Sequence, residues 1–300
     1  MWTYFCNLRS SGSPFPLKHA QVELNPEDSY DKNDCEIDNP DASVHVYRLP
    51  DGIQWSTFRD GISVPSLLVR RSIRGVWEQC TAVSPRGDRH PLILVTGSPG
   101  IGKSTAFLNY ALIQCAQSEK PVVLDAWMDG RTRYWFHPDG RVEMQKGGAG
   151  TILSGTTADT VYLVDPDEKG TDLMDAATCN RMIVTASPNN RCLQSIGKDG
   201  HYKFVVYGWT KGEFMAVHHE LGIKSEDAAE DAYKVTGSTV RGLNELIVVK
   251  GNIWNAADVE AVVLAAMNLA TRDPLEQGTH IPKAHGLVTL MGPVDVMQRN

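Results

Sequence analysis

No stretch of this 300-residue chain is apolar for the length of a membrane span, so a spanning helix is not expected. Positive charge is not in excess either. The formal net charge is −7, which excludes a chain that is basic throughout, as a general nucleic-acid binder would be, and leaves room only for local basic patches. The cysteines Cys6, Cys35, Cys80, Cys115, Cys179 and Cys192 stand far apart, with no CxxC and no Cys/His ligand spacing. Neither a zinc site nor a disulfide framework is written in them; reduced, mostly buried thiols of a cytosolic or nuclear protein are expected. Met1 to Lys18 lacks the apolar core of a secretory signal, and no internal repeat is visible.

What is present is enough apolar residue, 42%, to bury one sizeable core and a smaller second unit. Residues 1–42 are poor in it and acidic from Glu27 to Asp41, so residues 1–60 read as a poorly ordered arm. The arm's short β segment lies at Val44, Val46 and Tyr47, before the turn Pro50-Asp51-Gly52. Leu68 to Cys80 reads as a helix with Val69, Ile73, Val76 and Trp77 on one face and Arg70, Arg71 and Arg74 turned away. Leu92-Ile93-Leu94-Val95 is a wholly apolar strand of the kind covered on both faces, and Lys103 to Gln117 follows as a helix. Val122-Val123-Leu124, Val161-Tyr162-Leu163-Val164, Met182-Ile183-Val184 and Phe204-Val205-Val206 are further buried-strand candidates. Tyr134 to Val142, with Pro138-Asp139-Gly140 at its centre, reads as an inserted β-hairpin. The pattern is helical from Trp209 to about Ala270. Strand, loop, helix and more buried strands imply a three-layer α/β/α core over residues 61–208, a helical lid over 209–270 and a tail over 271–300.

The loop between the first buried strand and its helix carries chemistry. Gly97-Ser98-Pro99-Gly100-Ile101-Gly102-Lys103-Ser104 fits G-x-x-x-x-G-K-[ST] at every fixed position. Its glycines let backbone N–H groups turn inward around a β-phosphate, and the helix amino end adds partial positive charge. Lys103 reaches the β- and γ-phosphates, the Ser104 hydroxyl ligates Mg²⁺, and Thr105 can bond the α-phosphate. A nucleoside triphosphate, ATP with Mg²⁺, is the expected ligand.

Val161-Tyr162-Leu163-Val164-Asp165 is the matching Walker B pattern, four apolar residues ending in a carboxylate for Mg²⁺. Hydrolysis also needs a base to orient water. Many NTPases place an acidic residue directly after that aspartate. Here Pro166 intervenes, leaving Asp167 and Glu168, of which Glu168 is preferred. The end of the Met182 strand offers Ser187 and Asn189 as polar sensors of the γ-phosphate. Arg241, after Gly237-Ser238-Thr239-Val240, is either a cation brought to the phosphates from the lid or a surface arginine.

Together these segments resemble the P-loop NTPase module shared by oomycete Crinkler effectors and trypanosome retrotransposon hot spot proteins. Leu68-Val69-Arg70 is similar to the module's opening segment, Thr96 to Ser104 to its G-T-P-G-I-G-K-S, and Phe107 to Leu112 to its helix. Val164-Asp165-Pro166-Asp167-Glu168 resembles its D-P-P-E form of Walker B, and Thr185 to Asn189 its S-S-P strand end. Trp209 to Phe214 resembles W-x-x-x-E-[LF], and Gly237 to Arg241 resembles G-G-x-P-R with Ser238 and Val240 substituted. The resemblance covers about residues 68–270. It implies an ATPase-like module of the additional-strand class with Arg241 as its lid cation, and leaves secretion into a host open. Slow ATP hydrolysis used as a conformational switch is the expected function. Nothing after Ala270 offers the acidic and lysine pattern of the nuclease domain that often follows the module, and the L-x-L-F-L-A-K translocation motif is absent. A protein partner is expected; a non-hydrolysing regulator, a small-molecule kinase and a nucleic-acid motor are the alternatives. For the last, Arg70, Arg71, Arg74, Arg86 and Arg89 supply a basic patch against an acidic whole.

Overall fold

A computed structural model of the protein describes residues 1–11, 18–23, 43–51, 53, 55–56, 63–64, 66–84, 91–127, 131–146, 156–166, 181–188 and 202–236. Packing divides the chain into two units. The first holds all the sheets and the first three helices; the second holds, among the described residues, Pro99–Ile101 and residues 208–236.

The apolar runs of the sequence become strands of one sheet: β6 (Leu92–Thr96), β7 (Val122–Trp127), β10 (Val161–Asp165), β11 (Arg181–Ala186) and β12 (Tyr202–Val205). The last is corrected from a buried strand to an edge strand: Phe204 is half-buried, Val205 is exposed, and Val206 lies past its end. These five are parallel, in the order β12-β6-β11-β10-β7. All five residues of β10 are buried, as a strand covered on both faces requires. The hairpin strands β8 (Arg131–Phe136) and β9 (Val142–Lys146) extend the sheet antiparallel beyond β7, to seven strands. One face packs Leu94, Val123, Tyr162, Val164, Val184 and Ala186 into a common core. The architecture is the three-layer α/β/α P-loop fold of the additional-strand class. The added strand is β11, which separates the loop-bearing β6 from β10.

A buried polar tie joins the hairpin to the parallel strands. Arg133 Nε donates to Asp125 Oδ2 at 3.1 Å, and Tyr162 Oη donates to the same oxygen at 2.8 Å, with both charged side chains fully buried. Removal of either charge alone would leave the other uncompensated in the core.

The remaining sheets, β1 (Lys18–Glu23) with β2 (Ser43–Arg48) and β5 (Ser66–Val69), and β3 (Trp55–Ser56) with β4 (Ser63–Val64), are antiparallel. The expected helix over Leu68–Cys80 is therefore corrected at its start. Leu68 and Val69 end β5, and the helix is α2 (Arg71–Ala82), because Arg70 is extended. The arginines are not all turned away either. Arg70 and Arg74 are buried: Arg70 Nη2 donates to the Tyr207 carbonyl at 3.0 Å and Arg74 Nη1 to the Ser43 carbonyl at 3.0 Å. They tie strand ends together, so they supply no basic surface for nucleic acid.

The arm expected over residues 1–60 is also corrected at its start, where α1 (Trp2–Ser10) buries Trp2, Phe5 and Cys6. Trp2 Nε1 donates to the His137 carbonyl at 2.7 Å, and its ring lies 5.1 Å from that of Phe136. Arg9 reaches both the Ala116 and the Pro138 carbonyls. A nine-residue helix is marginal alone; these tertiary contacts to the hairpin turn and to Ala116 hold it. Trp2→Ala is expected to cost about 3 kcal/mol in urea unfolding, and a loss below about 0.5 kcal/mol would mean that α1 is only loosely attached.

In the second unit, α4 (Lys211–Ala216) starts on a capping box. Thr210 accepts from the Glu213 amide at 3.1 Å while Glu213 accepts from the Thr210 amide at 3.1 Å. The hydroxyl of Tyr233, on α5 (Glu226–Thr236), donates to the Trp209 carbonyl at 3.0 Å, and the Phe214 and Tyr233 rings lie 5.4 Å apart. The W-x-x-x-E element thus has a local structural use. Residues 237–270 of the expected lid, and the tail, lie outside the described residues. Among the described residues, no helix is long and apolar enough to cross a membrane.

Candidate functional site

The parallel strands bring three polar positions to one edge of the sheet. Thr96 ends β6, Asp165 ends β10, and Thr185 sits next to last on β11. In such sheets ligands sit beyond the carboxyl ends of the strands, where the chain changes winding direction. That point here lies between β6 and β11: from β6 the chain passes to β7 on one side, and from β11 to β12 on the other.

Gly97, Gly100 and Gly102 have φ values of 148°, 81° and 102°. Gly102 shows why a side chain is excluded. It caps the following helix in the left-handed region, and an added Cβ would stand 3.3 Å from the Ala106 Cβ. Its carbonyl accepts from both Ala106 N–H, at 2.7 Å, and Phe107 N–H, at 3.0 Å. The opening turn, Lys103–Phe107, is therefore a widened π turn that runs into α3 (Leu108–Gln117).

Lys103 is buried, and its Nζ donates to the Gly97 and Ser98 carbonyls, each at 2.7 Å. Loop and lysine form one hydrogen-bonded unit that concentrates positive charge at an amino-terminal helix end. Ser104 Oγ donates to Asp165 Oδ1 at 2.9 Å, across 61 residues of sequence. The two residues assigned to Mg²⁺ from sequence are thus adjacent. Octahedral Mg²⁺ with bonds of 2.0–2.1 Å has neighbouring ligand oxygens about 2.9 Å apart, so this oxygen pair fits two corners of its shell. Among the described residues, no group of three His, Cys, Asp or Glu could hold a metal unaided. Such an ion would complete its shell with phosphate and water oxygens.

Thr185 is the residue that sequence reasoning missed. It is buried, and its Oγ1 lies 3.1 Å from Asp165 Oδ1 and 3.2 Å from the Val164 carbonyl, so its one proton is shared between them. The signal was available: Thr185 is the first polar residue after Met182-Ile183-Val184, just as Asp165 is the first after Val161–Val164. With Val164 paired to Val184, the next residues of both strands fall side by side. Ser187 lies just past the strand, half-buried, and is not brought to Asp165 in this way. Pro166 is buried directly after Asp165. Asp167, Glu168, Asn189 and Arg241 lie outside the described residues.

No protein-family model matches the chain, and no curated protein matches it. Among solved structures, it is similar to the RuvB Holliday junction branch migration motor of Thermotoga maritima, at 15% identity and a TM-score of 0.36, over 67% of this chain and 70% of that one. A point mutant of the same protein gives 15% identity and a TM-score of 0.35, over 68% and 70%. A likeness of this degree carries neither substrate nor partner across.

Proposed function

We propose that the protein binds ATP with Mg²⁺ at Gly97–Thr105 and Asp165 and hydrolyses it slowly as a conformational switch. The observation that carries this is the Ser104–Asp165 pair, 2.9 Å apart, beside a lysine held in the phosphate loop. Bound Mg²⁺ would neutralise charge on the phosphates. Ser104 and Asp165 would hold it, directly or through water, and Lys103 would meet the β- and γ-phosphate oxygens.

The rate is expected to be low because Pro166 takes the place where a water-orienting acid commonly stands. Glu168 is our assignment for that role, and Asp167 is the alternative. A regulator that binds ATP without cleaving it is the second reading, and the same proline favours it. Single-turnover assays separate the two: the first reading requires ADP formation that Glu168→Gln stops while ATP stays bound. If neither wild-type protein nor any variant cleaves ATP, the regulator reading stands. The order of the motifs further supports a module like that of the Crinkler and retrotransposon hot spot proteins, acting through a protein partner.

Thr185 fixes the rotamer of the proposed metal carboxylate. Thr185→Val, which keeps the shape and removes the hydroxyl, is expected to slow hydrolysis about tenfold with ATP affinity little changed. An unchanged rate would make the hydroxyl's bond to the Val164 carbonyl its only use.

A further inference from the structure

At the other end of the same strands, Val161 and Arg181, the first residues of β10 and β11, line a cavity of about 320 Å³ between α2 and α3. Val161 is four positions before Asp165 on β10, about 13 Å at the rise of a strand, so the cavity is not the phosphate site. Trp77, Glu78, Tyr110, Gln114 and Lys120 also line it, so two cations, Arg181 and Lys120, stand against one exposed carboxylate, Glu78.

Arg181 is the anomaly there. It is 7% exposed, and Nη1 donates to the Cys80 carbonyl at 2.8 Å, while Nε is buried with no hydrogen-bond partner. No carboxylate forms an ion pair with it among the described residues. The thiols nearby cannot supply the missing charge, since burial pushes both Cys80 and Cys115 up to about 12, well above any working pH. A guanidinium does not escape burial by losing its proton, and an unpaired buried charge is costly. Lys120 adds a second cation to the same cavity, beside the aromatic walls of Trp77 and Tyr110.

We propose that this cavity binds a small organic anion, with its carboxylate or phosphate on Arg181 and Lys120 and an apolar or aromatic body against Trp77 and Tyr110. The volume is at the lower end of the range for small-molecule sites, which suits a compact ligand. Planar oxyanions match the donor fork of arginine, whose hydrogen bonds to them are charge-assisted. The proposal is independent of the nucleotide reading, because none of these residues belongs to the phosphate loop.

Benzoate and phenyl phosphate, titrated into the full chain and followed by ligand-observed NMR and thermal shift, are the probes. At least one should bind saturably, and Lys103→Ala should bind it as well as wild type does. Lys120→Ala, a change at a partly exposed side chain, should weaken it severalfold and Arg181→Met about tenfold or more. Without probe, Arg181→Met should melt no lower than wild type, since an apolar replacement relieves a buried charge. Benzoate binding alone identifies a carboxylate site, and phenyl phosphate alone a phosphate site. Absence of saturable binding up to about 10 mM, a weak limit on the affinity scale, overturns the proposal. So does binding that Lys103→Ala abolishes, or that both cavity variants leave unchanged.

Discussion

Lys103→Ala is expected to weaken ATP binding by at least about a hundredfold. The ammonium is already buried and aimed at the loop, 2.7 Å from two of its carbonyls, so little ordering cost remains when phosphates arrive. Hydrogen bonds to charged groups contribute roughly 1.5–3 kcal/mol each; losing two comes to about 3 kcal/mol or more, and every 1.4 kcal/mol is tenfold in affinity. The fold should survive, because the strand and helix on either side are buried independently of the lysine. Calorimetric titration of folded variant and wild type gives the ratio. Affinities within twofold of each other would remove the loop from the binding site.

Asp165→Asn is expected to slow hydrolysis about a hundredfold or more while weakening ATP binding about tenfold at most. Asparagine keeps the shape and can still accept from Ser104 and Thr185, but it carries no charge for the metal. Losing several kcal/mol of metal-derived charge stabilisation falls on the transition state more than on the ground state. Single-turnover rates at saturating ATP and Mg²⁺ measure the first quantity, and equilibrium titration the second. Turnover at the wild-type rate would reduce Asp165 to a strand end. Thr185→Val, acting only through the same carboxylate, should show a smaller loss of the same kind.

The centre of the parallel sheet was legible because strands buried on both faces must be apolar at successive positions, and four such runs stand out between polar segments; β12, at the sheet's edge, alternates half-buried and exposed residues and lacks that pattern. The glycine loop was legible because backbone at positive φ, as at Gly97, Gly100 and Gly102, leaves little choice of residue. Thr185 was less legible because a threonine next to last on a strand is ordinary in sequence, and its pairing with Asp165 depends on the register of β10 and β11. Arg70 and Arg74 were misjudged because arginine on an amphipathic helix usually faces water. Their burial depends on the Tyr207 and Ser43 carbonyls, which approach only when distant strands assemble. The same holds for α1. Its contacts are to His137, Gly140 and Ala116, more than a hundred residues away, and nothing local in Trp2–Ser10 announces them.

The proposed site is a single Mg²⁺-dependent ATP site built on Gly97–Thr105 and Asp165. Equilibrium titration of the wild-type chain with ATP, once in Mg²⁺ and once in EDTA, tests it most directly. One saturable site per chain whose affinity drops when the metal is withheld is the expected result. No saturable binding in either condition, or equal affinity in both, would contradict it.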